Sequence, residues 1–425
     1  MTAAVTPAPT TFAALGVPAA VVDALASAGC HTPLPVQAAT MPTALAGRDV
    51  LGRARTGSGK TVAFAVPTVV ALAATAGDRR PGHPRALVLV PTRELAGQVA
   101  RTLTPLARAM RLHVGTIYGG VSQGPQESML RRGVDILVAT PGRLEDLIAQ
   151  RLCSLAAVEV TVLDEADHLA DLGFLPAVKR LLDQTPDGGQ RLLFSATLDN
   201  AVDTLVARYL DDPVVHSVDA AACSPPELEH YSFSVTPGDK AAVVRELASG
   251  RERSLLFTRT KHAARKLAGD LSRQGIPAVD LHGNLSQAQR ERNLGAFAAG
   301  SARVLVATDI AARGIHIDDV PLVVHVDPPA EHKAYLHRSG RTARAGARGT
   351  VVTVVLPNQA REVASMIRQA GIRPTPARVA PGAAETVALT GPPAEPVTAA
   401  PVAPRPAPPR RGSPPRAAGR SRRRR

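Results

Sequence analysis

Two short segments carry residue types that can do phosphate chemistry. The first is Ala54-Arg-Thr-Gly-Ser-Gly-Lys-Thr61, which follows the apolar run Val50–Leu51 and precedes an apolar, helix-compatible stretch. A loop of this kind, with Thr56, Gly57, Ser58 and Gly59 between strand and helix, lets backbone N–H groups close around phosphate oxygens. Lys60 is placed to reach β and γ phosphates, and the Thr61 hydroxyl to ligate Mg²⁺. The second segment is Asp164-Glu-Ala-Asp167, at the end of the aliphatic run Val160–Leu163. A carboxylate at the C-terminal end of a strand faces the ligand crevice of an open α/β sheet. Asp164 is then a Mg²⁺ ligand, and Glu165 the group that orients and deprotonates an attacking water. Alone, three acids in four residues also suit a helix N-terminus. Beside a phosphate loop they read as a hydrolytic site.

These segments need a scaffold of parallel strands. Aliphatic runs recur at Ala86–Val90, Ile136–Ala139, Leu192–Phe194, Ser254–Phe257, Ala278–Leu281, Val304–Ala307, Leu322–Val326 and Thr350–Leu356. Between them, segments such as Glu94–Met110 and His262–Gln274 place apolar residues at helical spacing. Strands alternating with helices predict βαβ units. With 425 residues, and roughly 100–200 per domain, two such units are expected. The pattern pauses over Asp211–Pro237, which holds Pro213, Pro225 and Pro226. The expected division is an N-terminal segment 1–37, a first domain 38–215, a linker 216–228, a second domain 229–370 and a disordered Pro/Ala/Arg-rich tail 371–425.

Composition narrows the classes. Aromatics are 3% of the chain with no Trp, so the cores must be aliphatic, as in buried parallel sheets. The net charge is +14, of which nine Arg unopposed by any acid lie in residues 401–425. The body is therefore mildly basic, and the tail suits a polyanion. Cys30, Cys153 and Cys223 form no close pair, which argues against a disulfide framework or zinc site and for a reducing, cytoplasmic setting. The sequence shows neither an 18-residue apolar run nor a secretory signal pattern.

The remaining motifs resemble those of the DEAD-box RNA helicases of helicase superfamily 2, over roughly residues 12–356. In order they are Pro91-Thr-Arg-Glu-Leu-Ala96, Gly119-Gly120, Thr140-Pro-Gly-Arg143, Asp164–Asp167, Ser195-Ala-Thr197, Phe257-Thr258-Arg259, His282-Gly283 with Gln287 and Arg290, Ala307-Thr-Asp309 through Arg313-Gly314, and His337-Arg-Ser-Gly-Arg-Thr-Ala-Arg344. The resemblance implies two tandem RecA-like domains with ATP and Mg²⁺ in the cleft between them. It implies that Gln37 reads adenine, that Phe12 is the upstream aromatic of the nucleotide site, and that Asp309 and Gly314 belong to that site. Arg341 and Arg344 match arginine fingers. Asp167, Ser195 and Thr197 match the element coupling nucleotide state to RNA. By the same likeness RNA is held, largely through its backbone, by Thr92, Arg93, Gly120, Thr140, Arg143, Arg259, Gly283 and Thr308. A monomer is expected, with ribosomal or RNA-decay proteins as candidate partners and no membrane.

Three positions depart from the pattern: Cys30 stands where an aromatic is expected, Leu34 where an alcohol is, and His316 where an acid is. Two other readings stay open, a DNA-translocating helicase of the same superfamily and an RNA-binding clamp with incidental ATP turnover. The retained Gln37, Glu165 and Arg341 favour an RNA-directed ATPase. By the same likeness the acid expected in place of His316 contacts the nucleotide ribose, so His316→Asp is expected to lower the Michaelis constant for ATP; an unchanged constant in steady-state kinetics removes the idea.

Overall fold

The computed structural model describes residues 11–54, 57–75, 77–197, 200–218, 228–312, 320–342, 349–391 and 393–394. Among the described residues fourteen strands form two sheets. The first comprises β1 (Val50–Arg53), β2 (Ala86–Leu89), β3 (Val114–Ile117), β4 (Ile136–Ala139), β5 (Val160–Leu163), β6 (Gln190–Ser195) and β7 (Val214–Ser217). The second comprises β8 (Leu228–Ser234), β9 (Ser254–Phe257), β10 (Ala278–Leu281), β11 (Val304–Ala307), β12 (Leu322–His325), β13 (Gly349–Val355) and β14 (Thr375–Arg378).

The order is β3-β4-β2-β5-β6-β1-β7 in the first sheet and β10-β11-β9-β12-β13-β8-β14 in the second. Counted from each sheet's own first strand, the two orders are identical. Every pairing is parallel. The central strands β2, β4, β5, β9, β11 and β12 are buried along their whole length. This is why they read in sequence as unbroken aliphatic runs, with helices covering both faces. Each sheet separates two apolar cores. In the first, Phe64, Val66, Val88, Val99 and Phe194 lie on one side, and Leu87, Leu137, Leu147, Leu163 and Leu181 on the other.

The expected α/β fold of two parallel-sheet domains is thus present, and ten of the fourteen strands are those the aliphatic runs predict. The four others are short, polar or broken. β3 carries Gly115, β7 is half exposed at an edge, and β8 reads Leu-Glu-His-Tyr-Ser-Phe-Ser. The linker is accordingly shorter than 216–228: residues 216 and 217 belong to β7, and Leu228 opens β8.

The larger correction concerns the tail. Residues 371–391 are not an unstructured Pro/Ala stretch. β14 pairs with β8, from Thr375↔Tyr231 to Arg378↔Ser234, and occupies the edge position that β7 holds in the first sheet. An edge strand needs ladder bonds on one side only, so it tolerates Pro376 and an exposed face, which hides it from a search for apolar runs. The helix Ala384–Thr390 follows. Gly382 N (2.8 Å) and Thr386 Oγ1 (3.2 Å) both donate to the Glu246 carboxylate, and Val379 is buried. The Arg-rich end beyond residue 394 lies outside the described residues. A chain ended at Gly371 is expected to melt roughly 5 °C below one ended at Ala394; equal melting temperatures would contradict this packing.

Candidate active site between the two domains

The strand order fixes the site. Along the first sheet, β4, β2, β5, β6 and β1 are neighbours. Their C-terminal ends lead into Thr140, the Thr92 segment, Asp164, Ser195 and the phosphate loop, so one rim of the sheet presents all five. The second sheet does the same: β9 leads into Thr258-Arg259, β10 into His282-Gly283, β11 into Thr308-Asp309 and β12 into Asp327.

The phosphate loop is anchored at its base, where Ala54 N donates to the Ser195 carbonyl of β6 at 3.0 Å. Gly57 and Gly59 sit at φ +83° and +89°, the left-handed region that favours glycine. A Cβ on Gly59 would also run into the Gln37 amide and into Leu34 Cδ1. Lys60 opens the helix Lys60–Ala74. Its Nζ and the Ser58 hydroxyl are both buried without a hydrogen-bond partner. Two orphaned buried donors at a helix N-terminus fit the oxygens of a phosphate, since buried polar groups otherwise find partners. Arg55 and Thr56 lie outside the described residues.

Gln37 is buried against this loop. Its Oε1 accepts from Leu34 N at 2.9 Å, and its Nε2 donates to the Gly59 carbonyl at 3.0 Å. Those partners fix which end of the amide is which. Each end retains one further hydrogen bond, an acceptor and a donor side by side. Leu34, at the N-cap of the helix Pro35–Leu45, has no hydroxyl to complete the reciprocal cap and leaves an apolar side chain 45% exposed. The expectation for Phe12 is corrected: at 2% exposure it is a core residue, closing the N-terminal segment onto the sheet, with no ring face open to a ligand. Cys30 packs partly buried against the same core.

Asp164 and Glu165 are buried. Glu165 stands at φ +50°, unusual for a residue with a Cβ and of the kind that collects at functional sites. Its Oε2 lies 2.6 Å from His168 Nδ1. Burial pushes the Glu165 carboxyl up, but the hydrogen bond from His168 and the positive charges of Lys60 and Arg341 outweigh it and hold the group well below the usual carboxylate range. Glu165 is therefore ionised at neutral pH, and one of the cations acting on it, Arg341, comes from the second domain.

Asp167 faces the other way. Its Oδ2 accepts from Thr197 N (3.0 Å) and Thr197 Oγ1 (2.9 Å), while Asp167 N donates to Ser195 Oγ (3.3 Å). Ser195 Oγ in turn donates to the Thr197 carbonyl at 2.7 Å. The end of β6, the phosphate-loop base and the acidic segment form one hydrogen-bonded unit.

The second domain contributes a network that sequence reasoning left unassigned. Arg338 grips Asp309 through both oxygens, Nε to Oδ1 at 2.5 Å and Nη2 to Oδ2 at 2.8 Å. It also donates to the Asp327 carbonyl at 2.8 Å and lies over the Phe257 ring at 5.0 Å. Asp327 is held by Lys240 at 2.8 Å and by Arg259 N at 3.0 Å. Asp309 is thus fixed by its own domain. The buried Arg341 follows on the same segment. Gly314, His316 and Arg344 lie outside the described residues.

Among the described residues, Arg290 and His168 both make contacts across the cleft. The buried Arg290 donates to Glu94 Oε1 at 2.6 Å, while its Nη2 reaches the Ala311 carbonyl at 3.2 Å. His168 Nε2 lies 3.4 Å from His337 Nδ1, with the rings edge-on at 4.7 Å. His168 was missed as a site residue because nothing in its spacing distinguishes it from a solvated helix residue, while His337 and Arg338 lie in the motif His337–Arg344 but were given no role.

Thr92, Arg93, Gly120, Thr140 and Arg143 follow strands β2, β3 and β4 of the first sheet, and Arg259, Gly283 and Thr308 follow β9, β10 and β11 of the second. Thr92 caps its helix, accepting from Leu95 N at 3.2 Å, the ordinary structural use of such a residue. Gly120 stands at φ +78°, and a Cβ there would meet the Arg93 guanidinium. Arg259 and Gly283 are exposed, and Thr140 is at the edge of burial. Removing Arg338 strips Asp309 of its fork and the Phe257 ring of its cation. Arg338→Ala is expected to cost about 3 kcal/mol, and Arg338→Lys to recover only part, lacking a planar fork. Urea unfolding checks this, and a loss below about 1 kcal/mol would refute it.

Comparison with known proteins bears on the same residues. A model of DEAD/DEAH box helicases matches residues 34–205, and one of the helicase conserved C-terminal domain matches 239–346. Over 350 residues the chain is 39% identical to the ATP-dependent RNA helicase RhlB of Xanthomonas axonopodis pv. citri, covering 81% of this chain and 61% of that protein. The chain thus spans about three fifths of the length of that relative. Against RhlB of Shewanella putrefaciens the identity is 39% over 348 residues, 80% of this chain and 79% of the relative. Among solved structures, Saccharomyces cerevisiae Dbp5 bound to RNA and ADP BeF3 superposes with a TM-score of 0.74 at 27% identity, over 87% of this chain and 95% of that one. A DEAD box protein from Methanococcus jannaschii gives 0.51 at 30% identity, over 87% and 99%. With its two sheets, its phosphate loop and its acidic segment so matched, the chain belongs to the DEAD/DEAH box helicase family.

Proposed function

We propose that this chain is an ATP-dependent RNA helicase that locally opens RNA duplexes or remodels RNA–protein complexes. The observation that carries the reading is the buried, unpartnered Lys60 ammonium in a cleft where Glu165, ionised, feels charges from both domains. In this reading Gly57, Ser58, Gly59 and Lys60, with Thr56, wrap the phosphates, and Gln37 uses its remaining acceptor and donor on adenine. Thr61 and Asp164 would hold Mg²⁺ together with phosphate oxygens, and the ion supplies charge that neutralises them. Glu165 orients and deprotonates water. Arg341, with Arg344, stabilises charge developing on the transferred phosphate. Asp309 and Gly314 line the same cleft from the second domain.

RNA lies along the lip formed by Thr92, Arg93, Gly120, Thr140, Arg143, Arg259, Gly283 and Thr308. Contacts to phosphate and sugar give binding that does not depend on sequence. Asp167, Ser195 and Thr197 link the two sites, since the unit that holds the phosphate-loop base also holds the acidic segment. Dbp5, the neighbour that superposes over both domains, was solved with RNA and ADP BeF3, which supports the same pairing of ligands here. Among the described residues no helix is long and apolar enough to cross a membrane. A cytoplasmic monomer that meets ribosomal or RNA-decay proteins completes the reading.

The test is ATP turnover with and without single-stranded RNA or DNA, wild type beside Glu165→Gln. RNA is expected to raise the rate, DNA to do so far less, and Glu165→Gln to lower it about 100-fold or more. Absence of stimulation by RNA in the wild type refutes the proposal.

A further inference from the structure

The residue after the acidic segment is used in a way that no motif specifies. His168 lies on the short helix Ala166–Asp171, one turn from Glu165. Both side chains are buried, at 5% and 4% exposure. An ionised carboxylate only accepts hydrogen bonds, so the 2.6 Å contact requires the proton of His168 to sit on Nδ1. In the neutral ring Nε2 is then an acceptor. The atom it meets, at 3.4 Å, is Nδ1 of His337, which can donate. The chain His337 Nδ1–H to His168 Nε2, and His168 Nδ1–H to Glu165 Oε2, is self-consistent in its donors and acceptors.

His337 belongs to the helix His332–Ser339 of the second domain, beside Arg338, whose fork on Asp309 fixes that helix end. His168 N also donates to Asp167 Oδ1 at 3.0 Å, so the backbone of His168 is tied to the carboxylate that holds Thr197. The ring therefore touches the base on one side and the opposing domain on the other.

We propose that His168 is a positioning residue for hydrolysis: it holds Glu165 through Oε2, leaves Oε1 as the oxygen that takes the proton from water, and is itself oriented by His337 only when the two domains meet. The inference rests on Glu165 being the base. Its consequence is that closure of the cleft is sensed at the base through one imidazole. A second partner of this kind orients a reacting group without touching substrate, as outer ligands do at metal sites, where losing one typically costs about 10–100-fold.

The experiment is RNA-stimulated ATP hydrolysis by the full chain, with kcat and KM resolved, alongside RNA affinity in the presence of a non-hydrolysable ATP analogue. His168→Ala is expected to lower kcat about 10–100-fold, with KM and RNA affinity within about twofold of wild type. His168→Asn, whose amide nitrogen can replace Nδ1, recovers kcat to within about fivefold. His337→Ala costs less in the His168→Ala background than in the wild type, because the two act as one unit. An unchanged kcat in His168→Ala overturns the inference alone. So does a joint loss of kcat, ATP affinity and RNA affinity that His168→Asn fails to relieve, since that marks a merely structural role. Wild-type turnover in Glu165→Gln overturns the base assignment and this inference with it.

Discussion

A buried ammonium with no protein acceptor is the constraint around which this molecule is organised. Lys60 sits in the first turn of its helix with Nζ out of reach of solvent and, among the described residues, of any hydrogen-bonding oxygen. Burying an unpaired charge costs several kcal/mol, and the fold accepts that cost by distributing opposite charge nearby. Glu165 provides it, close enough that the lysine helps hold the carboxyl ionised. Neither group could be kept there by a mobile loop. Gly57 and Gly59 in the left-handed region, the Gln37 bond to the Gly59 carbonyl and the Ala54 bond to β6 fix the described parts of the loop. The donors are therefore aimed before any anion arrives, the condition under which electrostatic stabilisation is most effective.

The two sheets solve one geometric problem twice. Both run through the same strand order, and in both the chemistry sits on the C-terminal rim. In the first sheet β1 and β2 are separated by β5 and β6, so the phosphate loop and the Thr92 segment leave opposite sides of the acidic segment. The phosphate loop and the Thr92 and Thr140 segments are thus assigned to different strands of one rim, with Ser195 of β6 beside the acidic segment. The second sheet presents Arg259, Gly283, Thr308 and Asp309 in the corresponding places.

How much of this was legible in the sequence follows from the range of each interaction. Elements set by local pattern were readable: the central strands as aliphatic runs, the phosphate loop as glycine-rich punctuation between strand and helix, the acidic segment as a strand end. What escaped was set by partners far along the chain. β14 looks like loop because an edge strand needs neither apolarity nor a full set of N–H donors. Phe12 looked like a ligand contact because an isolated aromatic reads the same whether it faces a core or a cleft. Arg338 forks onto Asp309, 29 residues earlier, and Arg290 pairs with Glu94, 196 residues earlier. No periodicity encodes such a meeting. The departures at Cys30 and Leu34 were visible as residues, but only the fold shows that Cys30 packs against the core while Leu34 exposes its side chain beside Gln37.

The character of the contacts across the cleft has an energetic reason. Arg290–Glu94 and His168–His337 are polar and directional. Burying apolar area in their place would add about 25 cal/mol per Å² whether or not a ligand was present, and the domains would stay together. A buried ion pair behaves differently, because its Coulomb gain is largely offset by desolvation of both partners, leaving a small net term. Contacts with so small a net term hold the two sheets in this orientation by a few kcal/mol at most, an amount that ligand binding can outweigh. Geometry supplies the selectivity that net energy does not: Arg290 meets Glu94 only in one mutual orientation of the sheets, and the same orientation brings Arg341 toward Glu165.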